Sequence, residues 1–300
     1  MRVSALDVSA SDPASLRAAR RAALRADFVP PGPAPAAPPE LVPAPDETLD
    51  ALVGAWRIFQ LRQGHRFSAD DLLVAHFAGE TARALGHTPR RLLDLGAGIG
   101  SVGLMVLWQF PAATLTLVEA QARSRELAAR SVVWNGVADR VDLLEGDLRA
   151  FEPRAADFDL VTGSPPYFDT AAGVVSDRPQ RAPCRFELRG GVEGYVQTMG
   201  RALAPEGIGA LVMTHVGLDR IRTSAEAAGL RVVRERAVVF KAGRTPHLVL
   251  VALRRKETLA SVGDEGALDA APLVLRAADD TRTEGFRRIR LEMGYPPRMA

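Results

Sequence analysis

The chain has 300 residues, of which 47% are hydrophobic and 25% are charged, and its formal net charge is +2. Such a composition supports a large buried core, while no apolar run approaches the roughly 20 residues that span a membrane, so we expect a globular protein rather than a membrane-spanning one. The single cysteine, Cys184, excludes a disulfide framework and a cage of thiolate ligands, and we expect a reducing, cytoplasmic setting.

The first 46 residues differ in composition from the rest. Residues 12–27 predict a helix with Asp12 as its cap and Pro13 at its first position. Arginines at i, i+4 spacing form one face of this helix, which is either solvated or a substrate-gripping arm: Arg17, Arg21 and Arg25. The proline- and alanine-rich stretch that follows predicts an extended linker. The predicted organisation is an N-terminal helical extension (1–27), a linker (28–46), a folded domain (47–255) and a C-terminal extension (256–300).

From Arg91 onward, short apolar runs alternate with amphipathic helix patterns, beginning with the strand-like runs RLLDLGAG and ATLTLVEA. Alternation with helices predicts parallel strands joined by right-handed crossovers. The last two strand-like runs, RVVRERAVVF and PHLVLVALRR, have no helix between them and must pair antiparallel. The sequence therefore predicts an α/β fold, a doubly wound, mostly parallel seven-stranded sheet with an antiparallel edge strand. The tail after residue 256 can add a strand and a helix.

A glycine-rich turn, LLDLGAGIGSVGL, joins the first of these strands to the first helix. Open α/β sheets bind cofactors at this place. The spacing of Gly98, Gly100 and Gly103 even satisfies a dinucleotide fingerprint, which is a weak signal on its own. Asp94, however, comes just before the turn, and a carboxylate there repels a pyrophosphate but suits an ammonium group.

Acidic residues end the next two strands as well. Glu119 lies about twenty residues beyond the glycine turn, where an acid can hold ribose hydroxyls. Asp147 follows the third strand and can accept a hydrogen bond from an adenine amine. A ligand with a ribose, an adenine and an amino-acid ammonium but no phosphate is S-adenosylmethionine, so we predict this cofactor.

The segment DLGAGIG resembles the first motif of the class I S-adenosylmethionine-dependent methyltransferases. Its acid and its glycines match that motif position by position. The resemblance implies a Rossmann-like methyltransferase fold. It also implies which residues bind the cofactor: Asp94, Gly96, Gly98, Gly100, Glu119 and Asp147.

A rigid loop, SPPYF, follows the fourth strand-like run, FDLVTG, beside the predicted sulfonium. An exocyclic amine or amide nitrogen is a poor nucleophile because its lone pair is delocalised. The hydroxyl of Ser164 and the carbonyl of Pro165 can accept its N–H groups and free that lone pair, and the proline rings hold these acceptors fixed. Tyr167 offers a face for a planar target group. We predict four catalytic residues: Ser164, Pro165, Pro166 and Tyr167.

This tetrapeptide resembles the Asn/Asp/Ser-Pro-Pro-Tyr motif of amino-methyltransferases, which act on adenine N6, cytosine N4 or glutamine amides. Residues 47–78 resemble the segment that precedes the cofactor domain in the bacterial valine-tRNA adenine-N6 methyltransferases, through a shared pattern: Gln60, Gly64, Arg66, Phe67, Ser68 and Asp70. The likeness extends to about Arg255. It implies a tRNA substrate and adds Phe67 and Asp70 to the predicted cofactor site.

One departure from that family concerns Ser164, where its members have asparagine. Serine is shorter and has a single oxygen, so it cannot mimic the asparagine amide. Serine does occur in the broader class, notably among cytosine-N4 enzymes. Adenine and cytosine therefore both stay open as targets, with adenine of a structured RNA as the leading prediction.

Arginines crowd the irregular stretch that follows the motif, where they either contact RNA phosphates or form a solvated loop: Arg178, Arg181, Arg185 and Arg189. Cys184, in the same stretch, is interpreted as an incidental thiol. The histidines show no ligand spacing, and we predict no metal. Two other hypotheses stay open, which are a methyltransferase for a protein glutamine amide or a small amine, and a non-catalytic protein that binds the cofactor or RNA.

Overall fold

The structure is a computed structural model, and it describes residues 28–153, 157–167, 190–262 and 268–296. Two predicted features lie outside the described residues. They are the helix over residues 12–27 and the arginine-rich stretch that contains Cys184.

An antiparallel hairpin, β1 (Glu47–Val53) and β2 (Trp56–Leu61), opens the folded part of the chain. It forms a sheet of its own and packs on the third helix of the fold, where the Phe59 N–H donates to the Ser131 hydroxyl (2.9 Å) and the Arg57 N–H to the Asn135 side chain (2.9 Å). Helix α1 (Ala69–Ala84) follows and begins after Ser68. The hairpin and this helix bring residues 60–71 to one end of the central sheet.

The alternating strands and helices predicted from residue 91 onward are all present. Because both faces of the sheet are covered at its centre, strands such as β7 and β9 are largely continuous apolar runs rather than alternating ones. The elements in chain order are β3 (Arg91–Leu95), α2 (Ser101–Gln109), β4 (Thr114–Glu119), α3 (Ala122–Trp134), β5 (Val141–Glu145), β6 (Phe158–Gly163), α4 (Val192–Ala202), β7 (Leu203–Thr214), α5 (Leu218–Ala227), β8 (Leu230–Lys241) and β9 (Leu248–Arg255).

The tail adds helix α6 (Lys256–Val262), the short strand β10 (Leu268–Asp269), strand β11 (Leu273–Arg276) and helix α7 (Glu284–Glu292). The order of the central sheet is β10-β8-β9-β7-β6-β3-β4-β5, and β11 also pairs with β8. Strand β9 is antiparallel to both of its neighbours, and the other pairings are parallel. The predicted α/β sheet with an antiparallel end is confirmed. Strand β9 lies between β7 and β8, and the tail extends the sheet beyond the seven predicted strands.

Helices cover both faces of the sheet. Helices α1, α2 and α3 pack on one face together with the β1–β2 hairpin, and α4 and α5 pack on the other. All parallel strands point in one direction, so their carboxyl ends meet at a single edge. This edge carries the loops that follow β3, β4, β5, β6 and β7 and the turn between β8 and β9.

Residues 28–46, predicted to be a linker, contain no helix or strand and lie against the domain. The Ala37 N–H donates to the Trp134 carbonyl (2.8 Å), and the Arg130 side chain donates to the Val42 carbonyl (2.6 Å). Gly32 lies against the indole ring of Trp108. The segment is therefore extended, as its prolines dictate, but it is bound to the surface along its length.

The C-terminal segment is tied to the N-terminal part of the fold. Helix α7 meets α1 where His76 Nε2 lies 2.6 Å from the Glu292 carboxylate, and the Tyr295 hydroxyl donates to the Leu52 carbonyl. Phe286 and Ile289 bury the inner face of α7. In the described part of the chain, we find no helix whose length and apolarity would let it cross a bilayer.

Candidate active site

A cavity of 450 Å³ lies at the carboxyl edge of the sheet. Its volume falls in the range of roughly 300–1,000 Å³ that small-molecule and cofactor sites occupy. The order of the strands reverses here, since β4 and β5 continue from β3 on one side of the sheet while β6 and β7 lie on the other. Open α/β sheets bind ligands in the crevice at such a point. The glycine turn after β3 forms one wall, and the Ser164–Tyr167 loop after β6 forms the opposite wall.

The glycine turn leaves open space at its centre. Gly98 has φ +56°, and a Cβ atom placed on it would meet no atom within 4 Å, so its backbone faces the empty cavity. A Cβ on Gly96 would instead lie 2.3 Å from the Tyr195 hydroxyl. Gly98 is therefore needed for its positive φ. Gly96 is needed both for its positive φ and because the Tyr195 hydroxyl lies too close for any side chain.

Asp94 lies beneath the turn and is only 2% exposed. Its carboxylate accepts the Gly103 N–H (2.9 Å) and the Thr162 hydroxyl (2.8 Å), which ties the start of α2 to β6. Burial raises the pKa of this carboxyl to about 6. Asp94 borders the cavity as predicted, but the bonds that it makes in the protein hold the turn itself.

Glu119, at the end of β4, is buried and binds the turn from the other side. Its carboxylate accepts the Gly98 N–H (2.8 Å) and the Gln121 N–H (2.6 Å). A carboxylate has about four lone-pair positions, so these two bonds leave capacity for ribose hydroxyls. The position agrees with the predicted role.

Asp147 lies after β5 and is more accessible. Its carboxylate pairs with the Arg149 guanidinium, with contacts of 2.5–3.1 Å, and also accepts the Arg149 N–H (2.9 Å). The pair holds the carboxylate at the cavity wall.

On the opposite wall, Pro165 and Pro166 are buried, while Ser164 and Tyr167 are half-buried. The Tyr167 hydroxyl donates to the Asp70 carboxylate (2.8 Å). Burial, and then the charge of Asp70, raises the pKa of Tyr167, so its hydroxyl remains protonated and keeps donating. The aromatic ring is thus fixed from its distal end.

Asp70 and Asp71 begin α1 at the same cavity. Asp71 accepts the Ser68 N–H (3.0 Å) and the Ser101 hydroxyl (3.3 Å). Burial, followed by the charge of Asp70, raises the pKa of Asp71 to about 8. Asp71 is therefore mostly protonated at neutral pH, and a cationic ligand that binds beside Asp71 and Asp94 favours the ionised form of both.

The segment with the shared Gln60–Asp70 pattern holds the third wall. Gln60 is 1% exposed, accepts the Phe67 N–H (3.2 Å) and donates to Asp50 (3.0 Å). Arg66 donates to the same carboxylate (2.9 Å). These bonds place residues 64–66, Ser68 and Asp70 in the cavity wall. Phe67, predicted to bind the cofactor, packs against the hydrophobic core and does not line the cavity.

The cavity wall also contains residues that sequence reasoning missed. Tyr195 projects from α4 over Gly96, and Phe240 and His247 come from the β8–β9 turn. The direction of β8 could have predicted Phe240 and His247 as part of the site, since β8 is parallel to β3 and must end at the carboxyl edge of the sheet. In the ranges that the structure describes, no group of three or more His, Cys, Asp or Glu side chains is placed to hold a metal ion.

The comparisons with known proteins agree with this site. Residues 68–178 match the family model of the methyltransferase small domain. A tRNA1(Val) (adenine(37)-N6)-methyltransferase of Aeromonas hydrophila is 28% identical over 203 residues, covering 67% of this chain and 80% of that protein. A ribosomal protein uL3 glutamine methyltransferase of Bradyrhizobium diazoefficiens is 36% identical over 130 residues, covering 41% and 40%. A crystal structure from Agrobacterium tumefaciens, described as a predicted O-methyltransferase, shares the fold with a TM-score of 0.55, at 20% identity over 77% of this chain and 100% of that one.

The fold, the site and these relatives define the class of the protein. The chain is similar to S-adenosylmethionine-dependent methyltransferases in its matched domain and in its relatives. It is an N-methyltransferase whose cofactor is S-adenosylmethionine, so the hypothesis of a non-catalytic binding protein is set aside. The residues present fit this cofactor, because the open backbone at Gly98 gives it room and the acidic lining suits a ligand with a sulfonium and an ammonium but no phosphate.

Proposed function

We propose that this enzyme methylates an exocyclic amine of an RNA base, with N6 of a tRNA adenine as the leading target. The observation that carries the proposal is the Ser164–Tyr167 loop, which forms the cavity wall opposite the glycine turn. Relatives named as tRNA1(Val) (adenine(37)-N6)-methyltransferases support the tRNA substrate, and they match across most of their own length. A tRNA substrate would place the enzyme in the cytoplasm.

We assign cofactor binding to the turn and the acids around it. The open backbone at Gly98 leaves room for the ligand, Gly96 and Gly100 shape the turn on either side of it, and Glu119 binds the ribose. Asp147 accepts the adenine amine. Asp94 acts on the ammonium group mainly through its negative charge, because it lies beneath the turn and is only 2% exposed.

The loop after β6 orients the nitrogen that receives the methyl group. S-adenosylmethionine supplies an electrophilic methyl group when it is bound. Ser164 and the Pro165 carbonyl accept the N–H groups of the target and turn its lone pair toward the cofactor side of the cavity. The Tyr167 ring, held by Asp70, stacks on the target base. Pro165 and Pro166 have no backbone N–H, so neither can compete with the target for the hydrogen-bond acceptors of the loop.

A second candidate substrate is a protein glutamine amide. The uL3 glutamine methyltransferase relatives favour it, since one of them is 36% identical to this chain over 130 residues. A small-molecule amine is chemically equivalent for the Ser164 loop. Both alternatives use the same acceptors, so the geometry of the loop does not separate them from a base.

The test is transfer of a labelled methyl group from S-adenosylmethionine to total cellular RNA, compared with total cellular protein. We expect label in the tRNA fraction, and digestion to nucleosides should place it in N6-methyladenosine. Label in N4-methylcytidine would exclude adenine as the target. Label in protein alone would exclude RNA as the substrate.

A further inference from the structure

The turn between β8 and β9 carries an exposed pair of rings beside the active site. Strand β8 runs parallel to β3 and β6, so this turn stands at the carboxyl edge of the sheet. Phe240 is 45% exposed, and its ring centroid lies 4.6 Å from that of His247, with the planes tilted by 46°. Both residues line the cavity. An accessible aromatic surface at a cavity mouth is suited to stacking on a planar ligand.

Backbone hydrogen bonds hold this turn rigidly in place. The Ala242 N–H donates to the Arg276 carbonyl of β11 (2.8 Å), which braces the turn from the tail. The His247 N–H donates to the Val238 carbonyl (2.9 Å), and its own carbonyl accepts the His215 N–H (2.9 Å). The rings therefore stand on fixed backbone, so little conformational entropy is lost when a ligand stacks on them.

The same turn carries positive charge. Arg244 is exposed, and Lys241 lies beside it with its ammonium 2.9 Å from the Asp280 carboxylate. Asp279 is the other acid on the neighbouring turn of the tail. Lys241 is therefore partly neutralised, and Arg244 is the residue best placed to attract an anion. Aromatic faces with adjacent cations are what proteins use to bind single-stranded nucleic acid.

We propose that the hairpin tip, defined as Phe240, Lys241, Arg244 and His247, binds an unpaired nucleotide next to the base that enters the cavity. Phe240 and His247 stack on this neighbouring base, and Arg244 contacts its phosphate. The inference rests on the proposed RNA substrate and extends it to an RNA whose target lies in an unpaired loop. A base at this half-exposed rim is not the reacting base, which must reach Ser164 inside the cavity.

Binding of a short RNA tests the stacking contact without any methyl transfer. The probe is a fluorescein-labelled single-stranded RNA heptamer with a central adenine, measured by anisotropy with S-adenosylhomocysteine present. We expect Phe240→Leu to weaken binding about fivefold or more, while Phe240→Trp binds as the wild type does. Leu291→Ala is the control, since Leu291 is 46% exposed and lies on α7 away from the cavity lining.

The salt dependence of the same binding tests the phosphate contact. Loss of one contact to a single strand lowers the slope of log K against log salt by about 0.7. We expect this change for Arg244→Gln and no change for Arg90→Gln. Arg90 is an exposed arginine at the amino end of β3, on the opposite edge of the sheet.

An abasic heptamer tests whether the stacked base is the neighbour of the central adenine. Removing the two flanking bases should weaken binding to the wild type but cause no further loss in Phe240→Leu. Three results would each overturn the hairpin-tip proposal. The abasic heptamer could lose the same affinity for both proteins, Phe240→Leu could bind the intact heptamer as tightly as the wild type, or the wild type could fail to bind it. Failure of the proposed function is a separate result, namely that the wild-type enzyme puts no label into RNA.

Discussion

The hydrogen bond from the Tyr167 hydroxyl to Asp70 joins the loop after β6 to the start of α1. A hydrogen bond to a charged group contributes about 1.5–3 kcal/mol, and here it fixes the ring on which we propose that the target stacks. We expect Tyr167→Phe to lower kcat about tenfold and to leave the Kd of S-adenosylmethionine within about threefold. Single-turnover kinetics and calorimetry provide the two measurements.

The partner residue supplies the control for this contact. Asp70→Ala should reproduce the loss in kcat, Asp70→Asn should restore most of it by accepting the same bond, and the double variant Asp70→Ala/Tyr167→Phe should lose little more than either single one. Additive losses would contradict the assignment. So would a loss of cofactor affinity in Tyr167→Phe that equals its loss in kcat.

The raised pKa values of Asp71 and Asp94 make cofactor binding depend on pH. A cationic ligand binds the ionised carboxyls more strongly, so its affinity should rise as the pH passes from about 6 to about 8, with release of protons. The stability of the ligand-free protein changes in the opposite direction with pH. Each of these carboxyls binds more protons in the folded state between pH 3.8 and its folded pKa, so the stability falls as pH rises from 3.8 to about 6 because of Asp94 and to about 8 because of Asp71.

Calorimetry in two buffers with different ionisation enthalpies measures the released protons directly. Asp94→Asn should lose the part of the pH dependence near pH 6 and retain the part near pH 8. An affinity that does not change with pH in the wild type would show that these carboxyls do not respond to the charge of the ligand.

At the scale of the element, the β1–β2 hairpin depends on one buried amide. Gln60 satisfies both the Phe67 N–H and the Asp50 carboxylate. Gln60→Ala leaves both without this partner, so we expect a loss of about 1–3 kcal/mol in the free energy of unfolding, measured in urea. Gln197→Ala, at an exposed position of α4, should stay within about 0.5 kcal/mol of the wild type.

At the scale of the whole molecule, the C-terminal segment closes against the N-terminal hairpin at Gly294. This residue has φ +68°, and a Cβ on it would lie 2.6 Å from the Cα of Gly54. Gly229 has nearly the same φ, +70°, but a Cβ there would meet nothing within 4 Å. Gly229→Ala should therefore cost only the backbone strain, about 1–2 kcal/mol, while Gly294→Ala should cost clearly more. If urea unfolding gave the same loss of free energy for both variants, the contact between Gly294 and Gly54 would be able to relax around the added methyl group.

The fold was predictable from sequence because its signals are local. Apolar runs that alternate with helical patterns predict the parallel strands. The missing helix between β8 and β9 predicts that these two strands pair antiparallel. The pairing of β11 with β8 was not predictable, since a four-residue strand carries no periodic signal and its register depends on contacts formed elsewhere.

The candidate site was predictable to the extent that its residues follow strand ends. Asp94, Glu119, Asp147 and the Ser164 loop all line the cavity. The burial of Asp94 and the pairing of Asp147 with Arg149 depend on the packing of side chains, which spacing does not encode. Phe67 packs against the core beside the cavity lining, and a resemblance in sequence pattern does not distinguish a residue that supports the wall from one that forms it.

The division of the sheet between β3 and β6 has a consequence for how such enzymes diversify. The loops that we propose to hold the methyl donor follow β3, β4 and β5, whereas the residues that we propose to meet the acceptor lie after β6 and at the β8–β9 turn. Mutations on the acceptor side leave the donor pocket intact, so a lineage can change the molecule it modifies while its chemistry persists. One relative named for a tRNA and another named for a ribosomal protein are the outcome that this partition allows.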